Sequence, residues 1–175
     1  MGVEVKHLVQ EPYARTVEYQ SVFDVAESLL NHLNQPEILE KIKLVNKPGA
    51  SSSLVQNTFL KQATELGFRD ESKGLFAEYA NKGLRPDYYM PIEGTGIILE
   101  VERGKTTINN MDFLDFWKCH ICKDANYLFL MVPMTLVQNS KMKPRNEFNT
   151  VVNHLSPFFQ KGNYTNVRGL SIFGY

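Results

Sequence analysis

Three acids stand at a spacing that could grip a cation: Asp87, directly after Pro86, then Glu100 and Glu102 with one residue between them. The glutamates sit in an apolar run, Ile97-Ile98-Leu99-Glu100-Val101-Glu102, that closes on Arg103-Gly104-Lys105-Thr106. Two chemistries compete for this stretch. A Gly-Lys-Thr tail suits a phosphate-binding loop, and paired carboxylates suit a metal. The loop needs a first glycine five residues before the glycine of its Gly-Lys pair, because that residue turns the backbone so its N–H groups can cradle phosphates. Here that position is Leu99, apolar and mid-strand. Gly94-Thr95-Gly96 fails equally as a dinucleotide fingerprint, since it precedes a strand rather than a helix. No nucleotide cofactor is expected.

Side chains alternate along a strand. Ile97, Leu99 and Val101 therefore face one way, and Ile98, Glu100 and Glu102 the other. Buried carboxylates without partners are costly, so these two need cations, donors or a metal. A hairpin between Asp87 and Glu100 would bring a third acid to them. Such an oxygen-rich set suits a hard cation, Mg²⁺ first and Mn²⁺ second, held by one or two carboxylates and a substrate phosphate. Its chemistry would be polarisation of a phosphoryl oxygen and activation of water. The plainer alternative is an edge strand whose Glu100 and Glu102 pair with Arg103, Lys105 or Lys118.

The elements that must position these acids follow from periodicity and punctuation. Residues 21–45 read as helix, broken near Gln35-Pro36, with Phe23, Val25, Leu29, Leu30 and Leu33 at helical spacing. The loop 46–53, containing Pro48 and Gly49, leads to a serine-capped helix that Gly67 ends. Three short strands are predicted next, at 75–79, 86–90 and 97–104, joined as an antiparallel meander by glycine-bearing turns. A helix over 109–122 follows, with Phe113, Phe116, Trp117 and Ile121 expected inside. The apolar run 127–133 reads as a strand buried on both faces. A helix over 145–159 and a last strand over 169–175 complete an α/β fold, a mixed central sheet flanked by helices. We expect one domain over 1–175, with a helical region 1–47 packed on its core.

Composition narrows the classes. At 175 residues the chain suits one domain with a real core. It carries 19 basic and 19 acidic side chains, so overall charge gives a polyanion partner no support and any such contact must be local. Apolar residues make up 43% and charged residues 22%, as in ordinary folded proteins. No apolar run approaches the ~18 residues a membrane-spanning helix needs, and the N-terminus shows no apolar leader. A cytoplasmic protein without membrane attachment is expected.

Pro86-Asp87, a turn, and Glu100-Val101-Glu102 resemble the signature of the PD-(D/E)XK nuclease superfamily. The order helix, meander, helix, strand is similar to that family's core. The block Glu100-Val101-Glu102-Arg103-Gly104-Lys105, followed by a helix bearing Asp115 and Lys118, resembles type II restriction endonucleases of the BamHI/BglII kind. The likeness spans roughly residues 51–135. It implies a restriction-endonuclease-like core and a Mg²⁺-dependent endonuclease that hydrolyses DNA phosphodiester bonds. Asp87 and Glu100 would be metal ligands. Glu102 stands where most of the superfamily has lysine; it would act as a general base or hold a second metal. Lys105 would be an electrostatic helper. A homodimer would cut both strands of a palindrome. The departure at Glu102 keeps open a non-cleaving DNA-binding module, or a nuclease acting on RNA or branched DNA.

Further residues invite roles. Lys141, Lys143 and Arg145 crowd a proline-bearing loop and, with Lys118, are candidates for contacts to substrate phosphates; a solvated basic loop explains the three equally. Gln56, Asn57, Glu65 and Glu78 are polar candidates near the acids, or plain surface residues. Cys119-His120-Ile121-Cys122 supplies two thiolates where a structural zinc site wants four ligands. Inside an aromatic-rich helix these cysteines are expected to serve as small apolar residues.

Overall fold

The structure is a computed structural model and describes residues 2–70, 74–79, 84–104, 106–137 and 143–175. Strand β1 (Glu4–Val9) precedes helices α1 (Val17–Leu33), α2 (Pro36–Val45) and α3 (Ser52–Leu66). Strands β2 (Arg69–Asp70), β3 (Tyr88–Ile92) and β4 (Thr95–Val101) lead to helix α4 (Met111–Ile121). The chain ends through β5 (Tyr127–Val132), β6 (Thr135–Leu136), β7 (Arg145–Asn146), α5 (Glu147–Leu155) and β8 (Gly169–Gly174). The main sheet is mixed, in the order β1-β8-β5-β4-β3-β2. Its centre, β4-β5-β8, is parallel, and β1, β3 and β2 join antiparallel. Strands β6 and β7 form a separate ladder. The expected α/β class, a mixed sheet between helices, is the one observed.

Local signals explain most boundaries. Thr16 caps α1, its hydroxyl accepting the Tyr19 N–H at 3.1 Å. Pro36 opens α2 at the first helical turn, where its missing N–H costs nothing. Gly67 ends α3 at φ 108°, a left-handed backbone that a β-carbon would disfavour. Ser51 occupies the cap position of α3, but its hydroxyl bonds to that of Ser53 at 2.7 Å rather than to the helix backbone. Between β3 and β4 the two-residue turn Glu93-Gly94 has φ of 45° and 80°. Positive φ at both central residues fits the right-handed twist of a hairpin and fixes its register.

Three expectations need correction. The first meander strand is not at 75–79; those residues form successive turns, and β2 at 69–70 takes its place. The start of the chain is not wholly helical, because β1 closes the sheet edge against β8. The period-two pattern of Glu4–Val9 was the missed signal, and its partner lies at the far end of the sequence. Trp117 is 46% exposed, whereas the buried face of α4 carries Asp112, Asp115 and Lys118 alongside Phe116 and Cys119.

The sheet separates two cores. On one face Ile97, Leu99, Val101, Phe129 and Phe173 pack on Ala26, Leu29, Leu33, Val55, Phe59 and Ala63 from α1 and α3. On the other, Ile98, Leu128, Leu130 and Ile172 meet Phe116 and Cys119 of α4 and Phe148, Val151 and Leu155 of α5. Each fully buried large apolar side chain contributes about 1.5–3 kcal/mol. The second core is interrupted where β4 ends, and the acids lie there.

Candidate active site

The hairpin register pairs Tyr88 with Leu99, so Asp87 lies one step further on, beside Glu100. The two residues are tied reciprocally. The Asp87 N–H donates to Glu100 Oε2 at 3.1 Å, and the Val101 N–H donates to Asp87 Oδ2 at 2.9 Å. Alternation along β4 aims Glu100 at α4, as expected from the strand pattern. Lys118 meets it there: its Nζ lies 2.8 Å from Glu100 Oε1 and 2.8 Å from Asp115 Oδ1, a helical turn away. Glu102 follows Glu100 on the same face, near enough to Asp115 for each carboxyl to influence the other's protonation. From the opposite layer, Gln56 on α3 bonds Asp87 and accepts the Tyr88 hydroxyl at 3.2 Å.

The buried Glu100 and Asp115 contact the Lys118 ammonium, and the half-buried Asp87 and Glu102 lie beside them. Burial is the main force on their protonation. It pushes Glu100 well above the usual carboxylate range, with Asp115 adding repulsion. Burial and then Asp115 push Glu102 up to about 8. Asp115 and Asp87 are also raised by burial; Lys118 offsets part of this for Asp115, and the Val101 N–H does so for Asp87. Burial opposes the charge of Lys118, yet Glu100 and Asp115 more than compensate and hold its ammonium above the ordinary lysine value. Burial thus favours the protonated form of Glu102 at neutral pH.

Asp87 Oδ2, Glu100 Oε1 and Glu100 Oε2 each accept one hydrogen bond, and a carboxylate oxygen has capacity for another partner. Among the described residues no three His, Cys, Asp or Glu side chains already form a group able to hold a metal. A divalent ion here would need oxygens from outside this set.

The remaining candidates scatter. Lys118, expected among the phosphate-contacting cations, is 6% exposed and committed to two carboxylates. Two further candidates, Lys105 and Lys141, lie outside the described residues. Lys143 is exposed. Arg145 donates to Thr107 Oγ1 at 3.3 Å, and that hydroxyl in turn donates to the fully buried Glu147 at 2.9 Å. Arg103 turns away from the acids, its Nη2 donating to the Lys47 carbonyl. Of the polar candidates, Gln56 reaches the site, whereas Glu65 and Glu78 form exposed pairs with Lys61 and Lys123. Cys119 and Cys122 are both buried and not joined in a disulfide. A concavity of about 380 Å³ on the outer side of α4, lined by Phe113, Phe116, Trp117, His120, Phe158, Tyr164 and Thr165, includes none of the acids.

Sequence reasoning missed Asp115 as the partner of Glu102, and Asp112, Glu147 and His154 as a further polar set. The Asp112 carboxylate accepts from His154 Nδ1 at 2.7 Å, at the far end of α5 from Glu147. Helical spacing alone could have placed Asp112, Asp115 and Lys118 on one stripe of α4. No helix among the described residues is long and apolar enough to cross a membrane. No known family model matches the chain, and no curated protein matches it in sequence.

Proposed function

We propose that this protein is a Mg²⁺-dependent endonuclease of the PD-(D/E)XK type that hydrolyses DNA phosphodiester bonds. The observation that carries this reading is the reciprocal tie of Asp87 to Glu100, with the Lys118 ammonium 2.8 Å from the second acid. When bound, Mg²⁺ supplies Lewis-acid polarisation of a phosphoryl oxygen and lowers the pKa of a water. Asp87 and Glu100 would hold it. Lys118 brings from α4 a cation near the place where the superfamily usually has lysine, and its contact with Glu100 and Asp115 offsets their negative charge. Glu102 would take or return a proton as a general acid–base group. Arg145, Lys143 and Lys141 meet the DNA backbone, and Lys105 is an electrostatic helper.

A homodimer in the cytoplasm, one active site per DNA strand, completes the proposal. The test is cleavage of mixed duplex DNA with Mg²⁺ or Mn²⁺ by the wild type, Asp87→Ala and Glu100→Ala. We expect each variant to lose on the order of a thousandfold, typical for removing a charge-stabilising group from an active site. Equal cutting by all three overturns the reading. A non-cleaving DNA-binding module is favoured by one observation, that Lys118 already occupies Glu100. Retained duplex binding with no cutting by the wild type under either cation would select it.

A further inference from the structure

Strand β4 ends at Val101, yet Glu102 must stay extended if its carboxyl is to face α4 beside that of Glu100. Its N–H is held from the neighbouring strand, donating to the Met131 carbonyl at 2.8 Å. Its own carbonyl accepts instead from a side chain: the phenol of Tyr175 donates to it at 2.8 Å. Tyr175 is itself fixed. Its N–H donates to the Val132 carbonyl at 3.0 Å, and its carbonyl accepts the Met134 N–H at 2.6 Å. The ring is buried, and burial raises the phenol above its ordinary pKa, so the proton that makes this bond stays in place.

We infer that Tyr175 is a positioning residue of the acid site, its phenol anchoring the Glu102 main chain so that carboxyls 100 and 102 point together at α4. What that alignment serves rests on the nuclease reading above; the anchor itself does not. Without the hydroxyl, residue 102 keeps one of its two main-chain tethers, and the segment leading to Gly104 is free to twist. A twist would carry the Glu102 carboxyl away from Asp115.

Tyr175→Phe keeps the ring and removes only the donor. Residue-resolved amide hydrogen exchange on the full chain should show Glu102 and Arg103 exchanging about tenfold faster, the scale of one lost hydrogen bond. Ile98 and Leu99, deeper in β4, should not change. In DNA cleavage with Mg²⁺, kcat should fall by about tenfold with KM unchanged, since an interaction that matters only as the reaction proceeds is lost. Unchanged exchange at 102 and 103 overturns the inference whether or not the protein cuts DNA. Faster exchange with an unchanged kcat overturns it too, because the anchor would then position nothing the reaction uses. Faster exchange in a protein whose wild type does not cut supports the anchor and overturns the nuclease reading instead.

Discussion

On the α1–α3 face of the sheet, β4 presents Ile97, Leu99 and Val101 to Leu29, Phe59 and Ala63; on the α4 face, the same strand presents Ile98, then Glu100, to Phe116 and Lys118. The first contact is apolar throughout and asks only for shape. The second buries charge, and each charged group there survives only because another compensates it. One face can be altered and cost stability alone, while the other ties stability to charge balance and so to whatever binds.

The largest effect expected from breaking this contrast is on the apolar side. Phe59→Ala should destabilise the protein by about 4 kcal/mol, since its fully buried ring leaves a cavity. Urea unfolding measures this, and cleavage per folded molecule should be unchanged. On the charged side, Lys118→Met leaves Glu100 and Asp115 buried without their cation and should cost about 3 kcal/mol. The contrast sharpens if Glu100→Leu and Asp115→Leu are added. The triple variant should recover most of that stability yet remain inactive, because apolar groups replace a buried ion cluster at little cost. If the triple variant stays as unstable as Lys118→Met, charge balance is not what holds this face.

The smallest effect is a dependence on pH. Glu102 holds its proton in the fold up to about 8, whereas the unfolded chain releases it in the ordinary glutamate range. Its contribution is therefore complete below the unfolded value and is lost as pH rises through the folded one. Thermal unfolding without divalent cations should show stability declining across that window. Glu102→Gln should flatten the decline. Added Mg²⁺ should raise the melting temperature more on the alkaline side than on the acid side, since a cation competes with protons for these oxygens. A cation effect that is the same on both sides would break the link between the acids and the metal.

Much of the acid site was legible in advance, for a local reason. Alternation along residues 97–102 is enough to put Glu100 and Glu102 on one face, and a turn at Glu93-Gly94 is enough to bring Asp87 near. Gln35-Pro36 and Gly67 likewise act through their own backbone preferences. The misplaced strand at 75–79 shows the limit: aromatic residues there suit a strand, but Phe76 buries its ring from within turns.

By itself, then, the order of residues determined which side chains share a face, where helices start and stop, and that acids would emerge from an apolar strand. It offered Arg103, Lys105 and Lys118 as partners for those acids but did not choose among them. That Lys118 neutralises Glu100, that Asp115 faces Glu102, that Gln56 comes from the opposite layer and that Tyr175 holds the end of β4 were decided only when distant segments packed. Periodicity is set by bond geometry within a few residues, whereas compensation of a buried charge depends on whichever atoms the rest of the chain brings within a few ångströms.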